Sequence, residues 1–206
     1  MSDYLSFRLK EEFIEGYRGR RPSWGFPMSD HGDTLGEHSF LTKYSRRKDD
    51  GTRERFYEAL ERVINGTYSI QRDFTTHNRI PWSDETAHAS AQEAYERCFA
   101  GKWSPSGRAL WVMGTPFVNE RKDSSALYNC AFISTENLTD DPILPFVRLM
   151  DMLMLGVGVG FDTRGAGKIV IHSPAERFPH TVGDSREGWT ESLGSLLRAF
   201  FCVTRL

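Results

Sequence analysis

The sequence predicts an α/β protein in which a helical front leads into short strands alternating with helices. Two observations carry that reading. Apolar residues recur at helical spacing over residues 53–65 and again over residues 87–98, and from residue 103 onward brief apolar runs, punctuated by glycine and proline, alternate with longer amphipathic stretches. The division that follows is a helical region over residues 1–102 and the start of an α/β unit over residues 103–206.

Each element has its own signal. Residues 1–51 mix turn formers with charge, as in Pro22-Ser23-Trp24-Gly25-Phe26-Pro27, and only the start reads as helical. The basic residues Arg18, Arg20, Arg21, Lys43, Arg46, Arg47 and Lys48 are interspersed with acids and read as a solvated face with no site. Phe56, Tyr57, Leu60, Val63 and Ile64 share one helical face, and Asn65-Gly66 supplies a stop signal. Ser83 followed by Asp84 and Glu85 is an N-cap with an acidic first turn. Ala87, Ala91, Ala94, Tyr95 and Cys98 continue that helix toward Gly101, with Cys98 in the core.

Beyond residue 103, Ala109-Leu110-Trp111-Val112-Met113 reads as a buried strand between Pro105 and Gly114, and Leu127 to Ser134 as a second strand containing Cys130. Pro142 opens a helix over Ile143 to Leu155 whose apolar character predicts burial. It ends in the glycine turn Gly156-Val157-Gly158-Val159-Gly160, and Ile169-Val170-Ile171 reads as a short strand. Asp184 and Glu187 have capping-box spacing ahead of an amphipathic helix carrying Trp189, Leu193, Leu196, Leu197, Phe200 and Phe201. A complete α/β barrel or doubly wound sheet needs more strand–helix pairs than residues 103–206 hold, so the unit is expected to be unfinished in this chain.

Composition excludes several classes of function. The 206 residues carry a formal net charge of −2, from 26 Lys+Arg and 28 Asp+Glu, so no global field recruits nucleic acid or an anionic membrane. There is no secretory h-region and no apolar run of membrane-spanning length, and the chain reads as cytoplasmic. Without a secretory signal, Asn65-Gly66-Thr67 has no meaning as a glycosylation acceptor. The three cysteines, Cys98, Cys130 and Cys202, and the scattered histidines have neither disulfide-framework nor metal-ligand spacing, so no metal site is expected.

The glycine run invites a nucleotide reading, because closely spaced glycines let backbone N–H groups approach a phosphate. It is G-x-G-x-G after a helix, not the dinucleotide fingerprint or a P-loop, and a tight packing turn is the simpler account from periodicity alone. Arg164 and Lys168 are the cations near it. Cys130, read locally, is a small hydrophobe in a strand.

Several stretches, in order, resemble the adenosylcobalamin-dependent, monomer-type (class II) ribonucleoside-triphosphate reductases. They are Arg62-Val63-Ile64-Asn65-Gly66-Thr67-Tyr68, Pro105-Ser106-Gly107-Arg108-Ala109-Leu110-Trp111-Val112-Met113-Gly114, Tyr128-Asn129-Cys130-Ala131-Phe132, the run Met150 to Asp162, and Asp184-Ser185-Arg186-Glu187-Gly188-Trp189. The resemblance implies a ten-stranded α/β barrel preceded by helices, of which this chain holds the helices and the first strands. It implies replacement of the ribose 2′-hydroxyl by hydrogen, initiated by a thiyl radical that adenosylcobalamin generates on a cysteine of a later barrel loop. Two further cysteines reduce the ribose and are reset by a thioredoxin-like donor, and Cys130 matches the first of them. Asn129, Gly158 and Gly160 are implied as substrate-binding, and Arg164 and Lys168 as contacts to a deoxynucleoside triphosphate effector. The other cysteines of that chemistry and most of the cobalamin surface fall outside these residues. Activity is therefore expected to need a second polypeptide or the missing C-terminal portion. The alternative is a non-catalytic deoxynucleotide-binding regulatory module.

Overall fold

In the computed structural model the apolar stripe that begins at Phe56 forms a helix far longer than its predicted stop. The structure describes residues 6–23, 34–121, 123–174 and 179–202, and the chain divides into two compact units, residues 1–127 and 128–206. The loop motif around Trp24 to Pro27 and the Cys202 side chain lie outside the described residues.

The first unit is helical: α1 (Glu11–Glu15), α2 (Thr34–Lys43), α3 (Phe56–His77), α4 (Asp84–Phe99), α5 (Gly107–Val112), α6 (Pro116–Asn119) and a 3₁₀ turn (Ser124–Leu127). The front is thus more helical than the turn-rich sequence suggests. Helix α4 begins as predicted, with the Ser83 hydroxyl accepting from the Thr86 N–H. Ala87, Ala91 and Tyr95 of α4 pack with Leu60 and Ile64 of α3 in the core, and Cys98 is buried among them. Complete burial of a side chain such as Leu60 contributes about 1.5–3 kcal/mol.

The first unit departs from the sequence expectations at two places. Asn65-Gly66 does not stop α3, because Gly66 is not in the left-handed conformation a glycine stop requires. Its missing side chain serves packing instead: a Cβ at Gly66 would collide with the backbone of Gly114. The Asn65 side chain accepts from the Leu9 N–H at 2.8 Å, and the Ser69 hydroxyl accepts from the Phe7 N–H at 2.8 Å, fastening the N-terminal segment along α3. The run from Ala109 is helical as far as Val112, with Met113 as the extended C-cap, and is not a strand. The Ser106 hydroxyl caps the Ala109 N–H, and Gly114 ends the turn at φ +77°. Arg62 holds α5 to α3. Its Nε and Nη2 donate to Glu54 at 2.7 and 2.8 Å, and its Nη1 and Nη2 donate to the carbonyls of Met113 and Leu110 at 2.5 and 2.7 Å.

The second unit contains β1 (Cys130–Ile133), α7 (Leu144–Met154), β2 (Gly158–Phe161), β3 (Val170–Ile171), α8 (Arg186–Phe200) and β4 (Phe201–Cys202). Strands β1 and β2 are parallel, in the register Cys130 with Gly158 and Ile133 with Phe161, and β3 pairs antiparallel with β4. The segment β1–α7–β2 is therefore a βαβ unit. The glycine run is a strand where a turn is predicted, and only Gly156, at φ +73°, belongs to the turn. Every residue of α7 retains some exposure, against the predicted burial, although α7 packs on α8 and the strands. The cap of α8 lies one residue later than its predicted position, with the Ser185 hydroxyl accepting from the Gly188 N–H at 3.0 Å. Arg186 reaches across to Asp151 of α7 at 3.3 Å.

Because a methyl group at Gly66 or Gly114 must force α3 and the α5 turn apart, Gly66→Ala and Gly114→Ala are each expected to destabilise the chain by about 2–4 kcal/mol. Urea denaturation followed by circular dichroism measures this, and unchanged midpoints would contradict the close-approach account.

Candidate functional site

Strand alternation sorts the β1–β2 pair into two faces. Cys130 and Phe132 share a face with their register partners Gly158 and Gly160, while Ala131, Ile133 and Val159 point to the other. Cys130 is thus an exposed free thiol, not the small hydrophobe of its local sequence reading, and the residue facing it has no side chain. The Asn129 carbonyl accepts from the Gly158 N–H at 2.9 Å, which starts the parallel ladder. A Cβ on Gly158 would have room, whereas one on Gly160 would press on the Phe132 ring at 3.3 Å. The structure therefore gathers Cys130, Gly158 and Gly160 at one open surface, with Phe132, 67% exposed, as its apolar neighbour, while Asn129 precedes Cys130 and joins the ladder through its carbonyl.

Arg164 and Lys168 stand at the other end of the strands, about 10 Å along. Both turn toward the loop after β1. Lys168 Nζ donates to the Glu136 carbonyl at 2.6 Å, and Arg164 Nη1 pairs with the Glu136 carboxylate at 3.3 Å. This pair is exposed, so its contribution to stability is small. It does place two cations at the carboxyl edge of a parallel sheet, where ligands bind in open α/β folds.

The organiser of that edge is Asp162, which the sequence reading passed over. Its Oδ1 accepts from the Thr135 N–H at 2.9 Å, the Thr135 hydroxyl at 2.8 Å and the Arg164 N–H at 3.2 Å, and its Oδ2 accepts from the Ser134 hydroxyl at 2.8 Å. The Thr135 hydroxyl in turn accepts from the Gly165 N–H at 2.9 Å. These donors, the Thr135 N–H foremost, hold the Asp162 carboxyl well below the usual carboxylate range. With a depressed folded-state pKa, the contribution is complete above the unfolded pKa and is lost only as pH falls through the lower folded value, so mild acid leaves the network intact. The available sequence signal was an aspartate directly after a strand and ahead of Thr-Arg-Gly, where a short carboxylate reaches nearby backbone N–H groups.

The first unit has a separate cleft of about 360 Å³, lined on α3 by Glu58, Glu61, Asn65 and Ser69, and facing Arg8 and Glu120. Burial raises the Glu61 pKa there. None of the predicted site residues lines this cleft. Among the described residues no group of three or more His, Cys, Asp or Glu is placed to hold a metal, and no helix is long and apolar enough to cross a membrane.

The family model for the ribonucleotide reductase alpha domain matches residues 9–115, just over half of the chain. A probable adenosylcobalamin-dependent ribonucleoside-triphosphate reductase of Dictyostelium discoideum is 41% identical, the match covering 95% of this chain and 27% of that protein. The adenosylcobalamin-dependent ribonucleoside-triphosphate reductase of Euglena gracilis is 39% identical over 96% of this chain and 27% of its own length. The chain thus spans about a quarter of the length of these relatives. A crystal structure of a B-12 dependent (class II) ribonucleotide reductase superposes with a TM-score of 0.66, at 22% identity, covering 90% of this chain and 32% of that one. That superposition establishes a shared mixed helix and strand fold.

The two described thiols differ in environment. Burial pushes Cys98 up to about 12, while Cys130 is open to solvent. Native-state alkylation with peptide mass mapping is expected to modify Cys130 at least about tenfold faster than Cys98. Equal rates would contradict the placement of Cys130 on an open face.

Proposed function

This chain belongs to the ribonucleotide reductase family, and from that premise we propose that it is the N-terminal portion of an adenosylcobalamin-dependent ribonucleoside-triphosphate reductase, with its first unit as helical lead-in and its second as the opening βαβ unit of a ten-stranded barrel. The observation that carries the proposal is the open strand face on which Cys130 lies opposite Gly158. A thiol that reduces a ribose must touch the sugar, and a glycine beside it lets a nucleotide lie against the backbone. Cys130 is the first of the two reducing cysteines, and its partner belongs to the rest of the reductase. In the overall step the 2′-hydroxyl leaves as water, the ribose carbon gains a hydrogen, and the two thiols, each giving up a proton and an electron, join as a disulfide. A thioredoxin-like dithiol restores them.

Asn129, Gly158 and Gly160 form the substrate-facing surface, and Arg164 and Lys168 meet the phosphates of a deoxynucleoside triphosphate effector. Adenosylcobalamin, when bound, supplies the radical that activates a cysteine in a later barrel loop. The Cys130 face is an open sheet surface and encloses no cofactor by itself, so the cobalamin surface is assigned to the remainder of the enzyme and no step is derived through it. Phe161 on this sheet and Ile171 of β3 are more than half exposed, as expected of strands whose neighbours belong to the remainder of the reductase. The cytoplasm is the compartment in which thiols of this kind stay reduced.

The test is reconstitution. With adenosylcobalamin and a dithiol, the chain alone is expected to reduce no ribonucleoside triphosphate, and adding the remainder of the reductase is expected to restore turnover that Cys130→Ser abolishes. Turnover by the isolated chain, or by the Cys130→Ser complex, would refute the assignment. Gly158→Ala has room for its methyl group and should leave stability within about 0.5 kcal/mol while reducing kcat/KM at least about tenfold. Unchanged kcat/KM would remove Gly158 from the substrate surface.

A further inference from the structure

We propose that Asp162 is a positioning residue, which ties the loop after β1 to the loop after β2 so that Arg164 and Lys168 are presented together to a polyphosphate. This inference rests on the nucleotide reading above and goes beyond it by naming the residue that shapes the phosphate-facing rim.

Parallel strands send both following loops off the same edge, and nothing in the strand ladder fixes those loops to each other. Asp162 is the last point before the second loop departs, and its carboxylate collects donors from both sides: Ser134 and Thr135 from the first loop, Arg164 from its own. A steric element backs this up. Gly165 is buried against Leu138 and the Thr135 carbonyl, with no space for a Cβ. Once the loops are joined, Glu136 of the first meets both cations of the second, through its carboxylate to Arg164 and its carbonyl to Lys168. Without the carboxylate the two loops would be held by fewer bonds, chiefly the Gly165 N–H to the Thr135 hydroxyl and the Glu136 contacts, and more of the cost of ordering both cations would fall on ligand binding. The strong acceptor character of an ionised carboxylate bonded to several donors suits this permanent role.

The 206-residue chain itself serves for the test. Asp162→Ala removes every contact of the carboxylate and leaves only the Asp162 carbonyl to accept from the Thr135 hydroxyl, whereas Asp162→Asn keeps the shape and an acceptor for the Thr135 N–H but cannot accept from the Ser134 hydroxyl through its amide nitrogen. Amide hydrogen exchange reads the joint directly, and calorimetry with inorganic tripolyphosphate and with a deoxynucleoside triphosphate reads its consequence. In Asp162→Ala, exchange is expected to rise together in residues 134–138 and 163–168 while α7 and α8 stay protected, and affinity for both probes is expected to fall about tenfold or more, with Asp162→Asn between it and the native chain. Unchanged exchange in the first loop overturns the joint. Loosened loops with affinity within about twofold of native overturn the positioning role alone. A native chain that binds neither probe overturns the nucleotide reading together with the role built on it.

Discussion

Two parallel strands cannot be joined by a hairpin. The chain must leave the carboxyl end of β1, cross the sheet and re-enter at the amino end of β2, and α7 is that crossing. The geometry of the second unit follows from this constraint. It puts Cys130 and Gly158 side by side where both strands begin and sends both outgoing loops off the far edge, where Asp162 meets Ser134 and Thr135. The thiol and the cations are therefore separated along the strands, which suits a reducing centre at one end and a polyphosphate contact at the other.

The first unit depends on different physics. Its core is a helical cluster around Leu60, Ala91 and Tyr95, closed by the approach of Gly66 to Gly114 and by the Arg62 side chain that satisfies Glu54 and two carbonyls. Glu54 is only 8% exposed, and a carboxylate at that depth requires a charged partner with matched hydrogen bonds. The bidentate geometry of Arg62 supplies it.

Local signals were legible where one residue settles the outcome. Ser83 as a cap, Cys98 as core, Cys130 within a strand and the amphipathic stripe leading to Phe200 all follow from side chains acting on their own neighbourhood. The errors share a cause, which is that the deciding partner is distant in sequence. Gly66 looks like a helix stop until Gly114 is beside it, and Ala109 to Met113 is too short and too apolar for periodicity to separate helix from strand. Gly158 and Gly160 read as a turn because closely spaced glycines signal one and outweigh the brief alternation of Val159 and Phe161; their pairing with Cys130 and Phe132 makes them a strand. Asp162 carried only a local signal, its reach to the Arg164 N–H, because its other donors come from the loop after the other strand. Among the proposed site residues, the grouping of Cys130 with the glycines rested on the family resemblance, and the register now gives it a geometric basis.

The central claim, that Cys130 is one of two thiols spent on the ribose, is tested most directly by a single turnover. The chain is combined with the remainder of the reductase, adenosylcobalamin and a ribonucleoside triphosphate, with no external reductant, then quenched by alkylation and mapped by mass spectrometry. The account predicts that deoxynucleotide forms in step with loss of the free Cys130 thiol and with a disulfide joining Cys130 to a cysteine of the remainder. Deoxynucleotide formed in stoichiometric amount while Cys130 remains a free, alkylatable thiol would contradict it.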